Sequence, residues 1–285
     1  MMLHEMRRRW RNSSFYYNWL AYETRRIARP NQVLFAGVKQ VCLFIGHGRS
    51  GHSLVAGLLD AHPQIVMADE LDSLRLLRRP FNQAQFFAYY LRGAQNHARH
   101  GRSKGQRRDR AYSYRVPNQW QGRSEQLRVI GEAGLCTARL AQSPHLLPKF
   151  QRRVQVPVCF IQVVRNPFDC IARLHLLTGY PPELLAQHFF VNCEHVVHFR
   201  GRTPPEMTGL VQHEALVADP PAALRLLCQF LGLQAPDDYL ADCASIVFPR
   251  PEQPRYQITW QDDQIAMVLD GIARYEFLHG YTFDD

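Results

Sequence analysis

The chain has 285 residues, of which 46% are hydrophobic, and a net charge of +9 from 34 basic and 25 acidic residues. That content builds a sizeable core, and the length favours one large α/β domain with insertions spanning residues 1–285. Nearly all the basic residues are arginine, with lysine only at 39, 104 and 149; the excess suits an anionic ligand, a nucleic acid or an anionic surface and does not choose among them. The seven cysteines are odd in number, lack C-x-x-C spacing and lie largely in apolar runs. They read as buried, reduced thiols of a cytoplasmic protein, not as disulfides or zinc ligands. The 13 histidines include no H-E-x-x-H pair, so no metal site is supported. No apolar run approaches the roughly 18 residues of a transmembrane helix, and the basic N-terminus lacks the apolar core of a signal peptide.

Residues 1–40 read as a basic, aromatic helical lead-in that ends near Pro30. Its aromatic stripe (Phe15, Tyr16, Tyr17, Trp19, Tyr22) with Arg25, Arg26 and Arg29 fits a helix packed on the sheet or on a partner subunit, as in a homodimer, better than a helix lying on a membrane surface. Val41 to Ile45 form a buried strand. The run Gly46-His47-Gly48-Arg49-Ser50-Gly51-His52-Ser53 follows, and helical spacing then continues to Leu59. Strand, glycine-rich turn and helix make an anion-binding device: glycines let backbone N–H groups crowd the anion, and the helix N-terminus adds its positive end. The spacing matches a Walker A loop except that His52 stands where a kinase or ATPase carries lysine, and the loop's cation is Arg49.

Further along, a strand spans 64–68 with Asp69 and Glu70 at its end, and helices are predicted over 71–79 and 81–98. Arg99, Arg102, Lys104, Arg107, Arg108 and Arg110 crowd a stretch that reads as a mobile loop, within 99–125. Tyr112 and Tyr114 are interleaved there, yet no nucleic-acid-binding motif accompanies them, and no nucleic-acid partner is expected. A strand over 127–131 precedes Glu132-Ala133-Gly134 and a helix over 137–142. Residues 157–164, PVCFIQVV, carry the strongest buried-strand signal, with Arg165-Asn166-Pro167 directly after them and Pro167 suited to a helix's first turn. Helices are read over 168–177, 181–199, 220–231, 239–247 and 262–278, with a short strand over 210–213. Alternating strands and helices predict a mostly parallel sheet in a three-layer α/β/α sandwich, with ligands at the strands' carboxyl ends. Three features fall at such ends: the glycine loop, Glu70 and Arg165.

The loop F-I-G-H-G-R-S-G, with its helix ending at Ala61-His62-Pro63, resembles the 5′-phosphosulfate loop of sulfotransferases that use 3′-phosphoadenosine-5′-phosphosulfate (PAPS). VVRNPFDCIA (163–172) resembles their 3′-phosphate motif, HEALVADPPAALRLLCQFLGL (213–233) a further family segment, and Trp260 with Gly280-Tyr281 the C-terminal end. The resemblance implies a P-loop-containing nucleotide hydrolase-like fold and a PAPS-dependent sulfotransferase. Residues Gly48, Arg49, Ser50, Gly51, His52 and Ser53 would hold the phosphosulfate, with Arg49 stabilising the bridging oxygen as sulfate leaves. Arg165 would bind the 3′-phosphate. Glu70 follows Arg49 by 21 residues, in a context similar to the proposed catalytic glutamate of tyrosylprotein sulfotransferases, and would be the general base. By itself the acidic run 69–72 fits the N-terminus of the next helix better than a catalytic base, and the resemblance reverses that preference. Sulfuryl groups carry less charge than phosphoryl groups, so no magnesium is required and PAP is the nucleotide product. The chain departs from the family pattern at His52 (usually Thr), at Arg173 (usually Ser), at His213 (usually Tyr), and at Gly131-Glu132, where relatives often carry lysine. Arg173 could supply a bidentate phosphate contact or point away. His175, His188, His195 and His198 read as helix histidines. The alternatives are a P-loop small-molecule kinase, which would carry lysine at position 52, and a non-catalytic basic protein that binds nucleic acid or membrane.

Overall fold

β1 (Gln40–Gly46) runs through the middle of the sheet, paired in parallel with β3 (Val129–Leu135) on one side and β4 (Val158–Val164) on the other. β2 (Ile65–Ala68) and β5 (Thr208–Gln212) form the edges, so the five parallel strands lie in the order β2-β3-β1-β4-β5. The structure, a computed structural model, describes residues 13–100 and 114–284. The basic N-terminal stretch with Arg7, Arg8, Arg9 and Arg11, and the core of the predicted mobile loop, 101–113, lie outside the described residues.

Side-chain alternation sends each strand's apolar residues to both faces. Val41, Leu43 and Ile45 meet α1 (Ser14–Ala28), α4 (Gln83–His100) and α6 (Leu146–Val154). Cys42 and Phe44 meet α3 (His52–Asp60), α10 (Pro220–Phe230) and α11 (Asp237–Ile246). A third cluster joins α7 (Pro167–Thr178), α8 (Pro182–Arg200) and α12 (Asp262–Ala273). Short helices α2 (Gln32–Ala36), α5 (Thr137–Gln142) and α9 (His213–Ala218) complete the set described. The predicted three-layer α/β/α sandwich is therefore present. The lead-in helix packs within the chain: Gln85 donates to the Ala21 carbonyl and to Thr24 Oγ1, each at 3.2 Å. All seven cysteines are buried and unpaired. Among the described residues no helix is long and apolar enough to cross a membrane.

Four elements differ from their predicted form. The 71–79 helix is a 3₁₀ turn, Ser73–Arg78, entered through Asp72 at φ +59°. β3 continues through Glu132 to Leu135, with a register irregularity opposite Leu43/Phe44. The last helix stops at Ala273, because Tyr275 turns extended to bury its ring beside Phe190 and a 3₁₀ turn, Glu276–Leu278, follows. Residues 114–125 are packed rather than loose: Gln121 accepts from Val116 N and Gly122 N donates to the buried Asp60.

Candidate active site

The loop after β1 is built from alternating backbone handedness. Gly46, Arg49 and Gly51 have φ of +116°, +71° and +94°. Left-handed backbone at a non-glycine residue is sparsely populated, and such strain concentrates at ligand clamps. Successive N–H groups in this geometry form an anion nest, and α3 begins at its rim with its positive end facing the cleft. Gly51 is obligatory on two counts: its left-handed φ, and a Cβ there would lie 2.4 Å from His213 Nδ1. A Cβ on Gly48 would meet nothing within 4 Å, so this part of the loop borders open space.

Neighbouring elements fix the loop's base. Thr137 Oγ1 accepts from Gly46 N at 2.8 Å, and Asn192 Nδ2 donates to the Gly46 carbonyl at 2.6 Å. The His47 ring stacks on Phe189 at 3.9 Å, its Nε2 donating to the Phe189 carbonyl at 3.2 Å. Ser50 is buried, its hydroxyl donates to the His47 carbonyl at 2.9 Å, and it does not line the cleft.

Past β4, Arg165 is 8% exposed and donates through Nη1 to the Arg49 carbonyl at 3.3 Å and through Nη2 to the Glu252 carbonyl. Among the described residues its buried Nε has no hydrogen-bond partner, and Asp169 Oδ2 lies 3.9 Å from it. Asp169 in turn accepts from the buried Arg255, 3.1 Å through Nη1 and 3.2 Å through the backbone N–H. Glu214 accepts from Asn166 N at 2.9 Å and from the Tyr281 hydroxyl at 2.8 Å, which brings the three C-terminal family-like segments together around Arg165. Arg173, two turns along α7, faces the cleft, with Glu252 at 3.9 Å from its Nη1. His213 Nδ1 is buried without a partner, and burial followed by the Arg165 charge pushes its pKa down to about 3, so the ring is neutral at pH 7.

Across the cleft, His52 Nε2 lies 3.2 Å from Glu70 Oε1, with the histidine buried and the glutamate side chain 59% exposed. The backbone behind Glu70 is held by Glu132, whose carboxylate accepts from the N–H groups of Leu71 and Asp72 at 2.7 Å and of Ser73 at 2.5 Å. Burial raises the Glu132 pKa, against the lowering effect of those donors.

Arg49, Glu70, Arg165, Arg173 and His213 line one cleft of about 2350 Å³ at the carboxyl edge of the sheet, together with Gly48, Gly51, His52 and Ser53. Every strand delivers a lining residue at or just past its carboxyl end. Among the described residues no cluster of histidine, cysteine or acidic side chains is arranged to hold a metal ion. The sequence model described as "Sulfotransferase family" matches residues 43–237, more than half of the chain. The chain belongs to the sulfotransferase family.

Several solved structures are similar to it at low identity. A sulfotransferase domain from a Synechococcus olefin synthase shares 18% identity, covering 81% of this chain and 94% of its own, with a TM-score of 0.48. A sulfotransferase of Mycobacterium avium shares 14%, covering 87% and 79%, at 0.45. A mouse sulfotransferase complexed with PAP shares 15%, covering 74% and 65%, at 0.42. No curated protein sequence matches significantly.

Several residues that shape this sulfotransferase's cleft escape a sequence reading. Glu132 is visible only as an acid at the end of a buried strand, and nothing local says that its partners lie 59 to 61 positions away. His47 reads as a loop residue, whereas its buried ring is pushed down to about pKa 4 by desolvation. The folded pKa lies below the ordinary 6.5, so the unfolded chain takes a proton that the folded chain refuses. The stability from this group is complete above pH 6.5 and is lost as pH falls toward 4, by about 2 kcal/mol between pH 7 and 5. A His47→Phe variant keeps the stacking and lacks that loss. Its stability deficit relative to the parent should therefore shrink by about 2 kcal/mol from pH 7 to 5 in urea unfolding. A pH-independent deficit would contradict the assignment.

Proposed function

We propose that the chain transfers the sulfuryl group of PAPS to a hydroxyl or amine acceptor, a small molecule or a glycan, releasing PAP. The carrying observation is that a cationic glycine loop, two further arginines and a glutamate converge on one cleft in a member of this family. The N–H groups of 48–53 and Arg49 hold the 5′-phosphosulfate. Arg165 and Arg173 hold the 3′-phosphate, and the place of both side chains on the cleft and the open space beside Gly48 suit such a ligand. Bound PAPS supplies an activated sulfuryl group. Glu70 takes the acceptor proton, with its carboxylate oriented by His52 Nε2–H, while Arg49 meets the charge that develops on the leaving oxygen. His52 fills the place of the kinase lysine and is engaged with Glu70. The seven buried free thiols support a reducing, cytoplasmic setting.

Thermal unfolding in parallel with PAP, ATP–magnesium and duplex DNA tests the reading. PAP at 100 times its Kd stabilises by about 2.7 kcal/mol and raises Tm by several degrees, and the other two shift it less. A shift with ATP–magnesium alone would favour a kinase, and a salt-sensitive shift with DNA alone a basic binding protein.

A further inference from the structure

The cleft has a second concentration of positive charge that the sulfuryl donor does not use. The strand order puts Arg165, past β4, on one side of the loop, and Glu70, past edge strand β2, on the other with β3 between. Beyond Glu70 the cleft wall is formed by α1, α4 and the 3₁₀ turn Ser73–Arg78, with Arg92 on α4 and Arg75 on the turn. Arg75 Nη2 donates to the hydroxyls of Tyr16 and Tyr89 at 3.0 and 3.2 Å, and its buried Nε has no partner. Arg92 lies over the Trp19 ring, 4.7 Å from its centroid.

Among the described residues neither guanidinium has a carboxylate within 4 Å. Asp72 acts on Arg75 only at longer range and is paired directly with Arg139, also on the cleft. Arg139 is thus neutralised within the chain, whereas Arg75 and Arg92 are cations on an aromatic wall whose contacts are rings and phenol hydroxyls. Arg75 and Arg92 lack a directly paired carboxylate among the described residues, and a ligand that brings an anion supplies one. Guanidinium groups pair bidentately with carboxylate, sulfate or phosphate.

We propose that the acceptor is a ring compound, sugar or aromatic, that carries its own negative group, and that Arg75 and Arg92 read that group while its hydroxyl or amine reaches Glu70. The proposal rests on the donor reading above, since it assigns this half of the cleft to the acceptor. Arg75 and Arg92 would then determine specificity, lowering KM for anionic acceptors and leaving neutral ones unaffected.

Calorimetry on the chain saturated with PAP, and again on the nucleotide-free chain, tests this with two matched pairs. They are p-nitrophenyl β-glucuronide against p-nitrophenyl β-glucoside, and 4-hydroxybenzoate against 4-hydroxybenzamide. The anionic member of at least one pair should bind about 10-fold more tightly, the scale of one charge-assisted hydrogen bond. Arg92→Gln, on a half-buried helix position, and Arg75→Gln should each reduce that preference with PAP affinity unchanged, and Arg139→Gln should leave it intact. Equal binding within both pairs, binding of no member, or a preference that survives in the Arg75→Gln/Arg92→Gln double variant overturns the proposal. Failure of PAP itself to bind would instead sink the donor reading, and the nucleotide-free titrations keep the two outcomes apart.

Discussion

Replacing Glu70 with Gln should lower kcat by about 10²- to 10⁴-fold, the range for removing a positioned general base, while leaving PAP affinity unchanged. The substitution keeps the side chain's size and its acceptor toward His52 Nε2, so the loop geometry survives and only the proton sink is lost. Glu70 lies past the end of β2, and Glu132 holds the backbone N–H groups of the next three residues, Leu71 to Ser73, so the turn that carries it does not depend on the charge of Glu70. PAP formed from PAPS, with an acceptor found by screening phenols, sugars and amines, gives kcat, and calorimetry gives the nucleotide affinity. Near-full turnover would remove Glu70 from the chemistry and leave the acidic run 69–72 as a helix-entry feature. A parallel loss of PAP affinity would mean that Glu70 acts by shaping the loop.

The largest effect on stability is expected at Asp169. Its side chain is 2% exposed and faces two guanidiniums, Arg255 at 3.1 Å and Arg165 at 3.9 Å. Asp169→Ala strands both cations, and breaking a buried pair from one side costs about 3–5 kcal/mol. It also frees the Arg255 backbone N–H and the carboxylate brace behind Arg165. Urea unfolding should therefore show that loss, and the surviving folded protein should bind PAP more weakly because Arg165 is no longer aimed. An Asp169→Ala protein with parental stability would show that the three charges do not act as one buried unit. Parental PAP affinity would separate the brace from the nucleotide site.

Features held by local chemistry were legible in the sequence. β1 and β4 announce themselves by continuous apolar runs, because a parallel strand covered on both faces has no polar side to show. The loop is legible because its left-handed positions demand glycine at two of three places, and Arg49 stands out as the third. The strand ends place Glu70 and Arg165 at the sheet's carboxyl edge, while their roles come from the family resemblance. The long-range satisfactions were hidden. β3 reads as ending at Gly131 because an acid in a strand looks like a terminus; three backbone donors from another segment make Glu132 tolerable there. The sequence reading assigns no helix over α6, where Pro148 sits in the first turn and no amide donor is needed. Arg173 was ambiguous in sequence and is placed on the cleft by the turn count of α7 from Pro167. Arg75 and Arg92 carry no sequence signal, since only the fold brings Arg92 over Trp19 and Arg75 to the Tyr16 and Tyr89 hydroxyls.

The most direct test of the donor site is a calorimetric titration, in EDTA, of PAP against adenosine 5′-monophosphate, which lacks the 3′-phosphate. Binding of one PAP per chain is predicted, with the monophosphate about 100-fold weaker, on the scale of two charge-assisted contacts from Arg165 and Arg173, and with that gap narrowed in Arg173→Ser. Equal affinity for the two nucleotides, or tighter binding of ATP–magnesium than of PAP, would contradict the account.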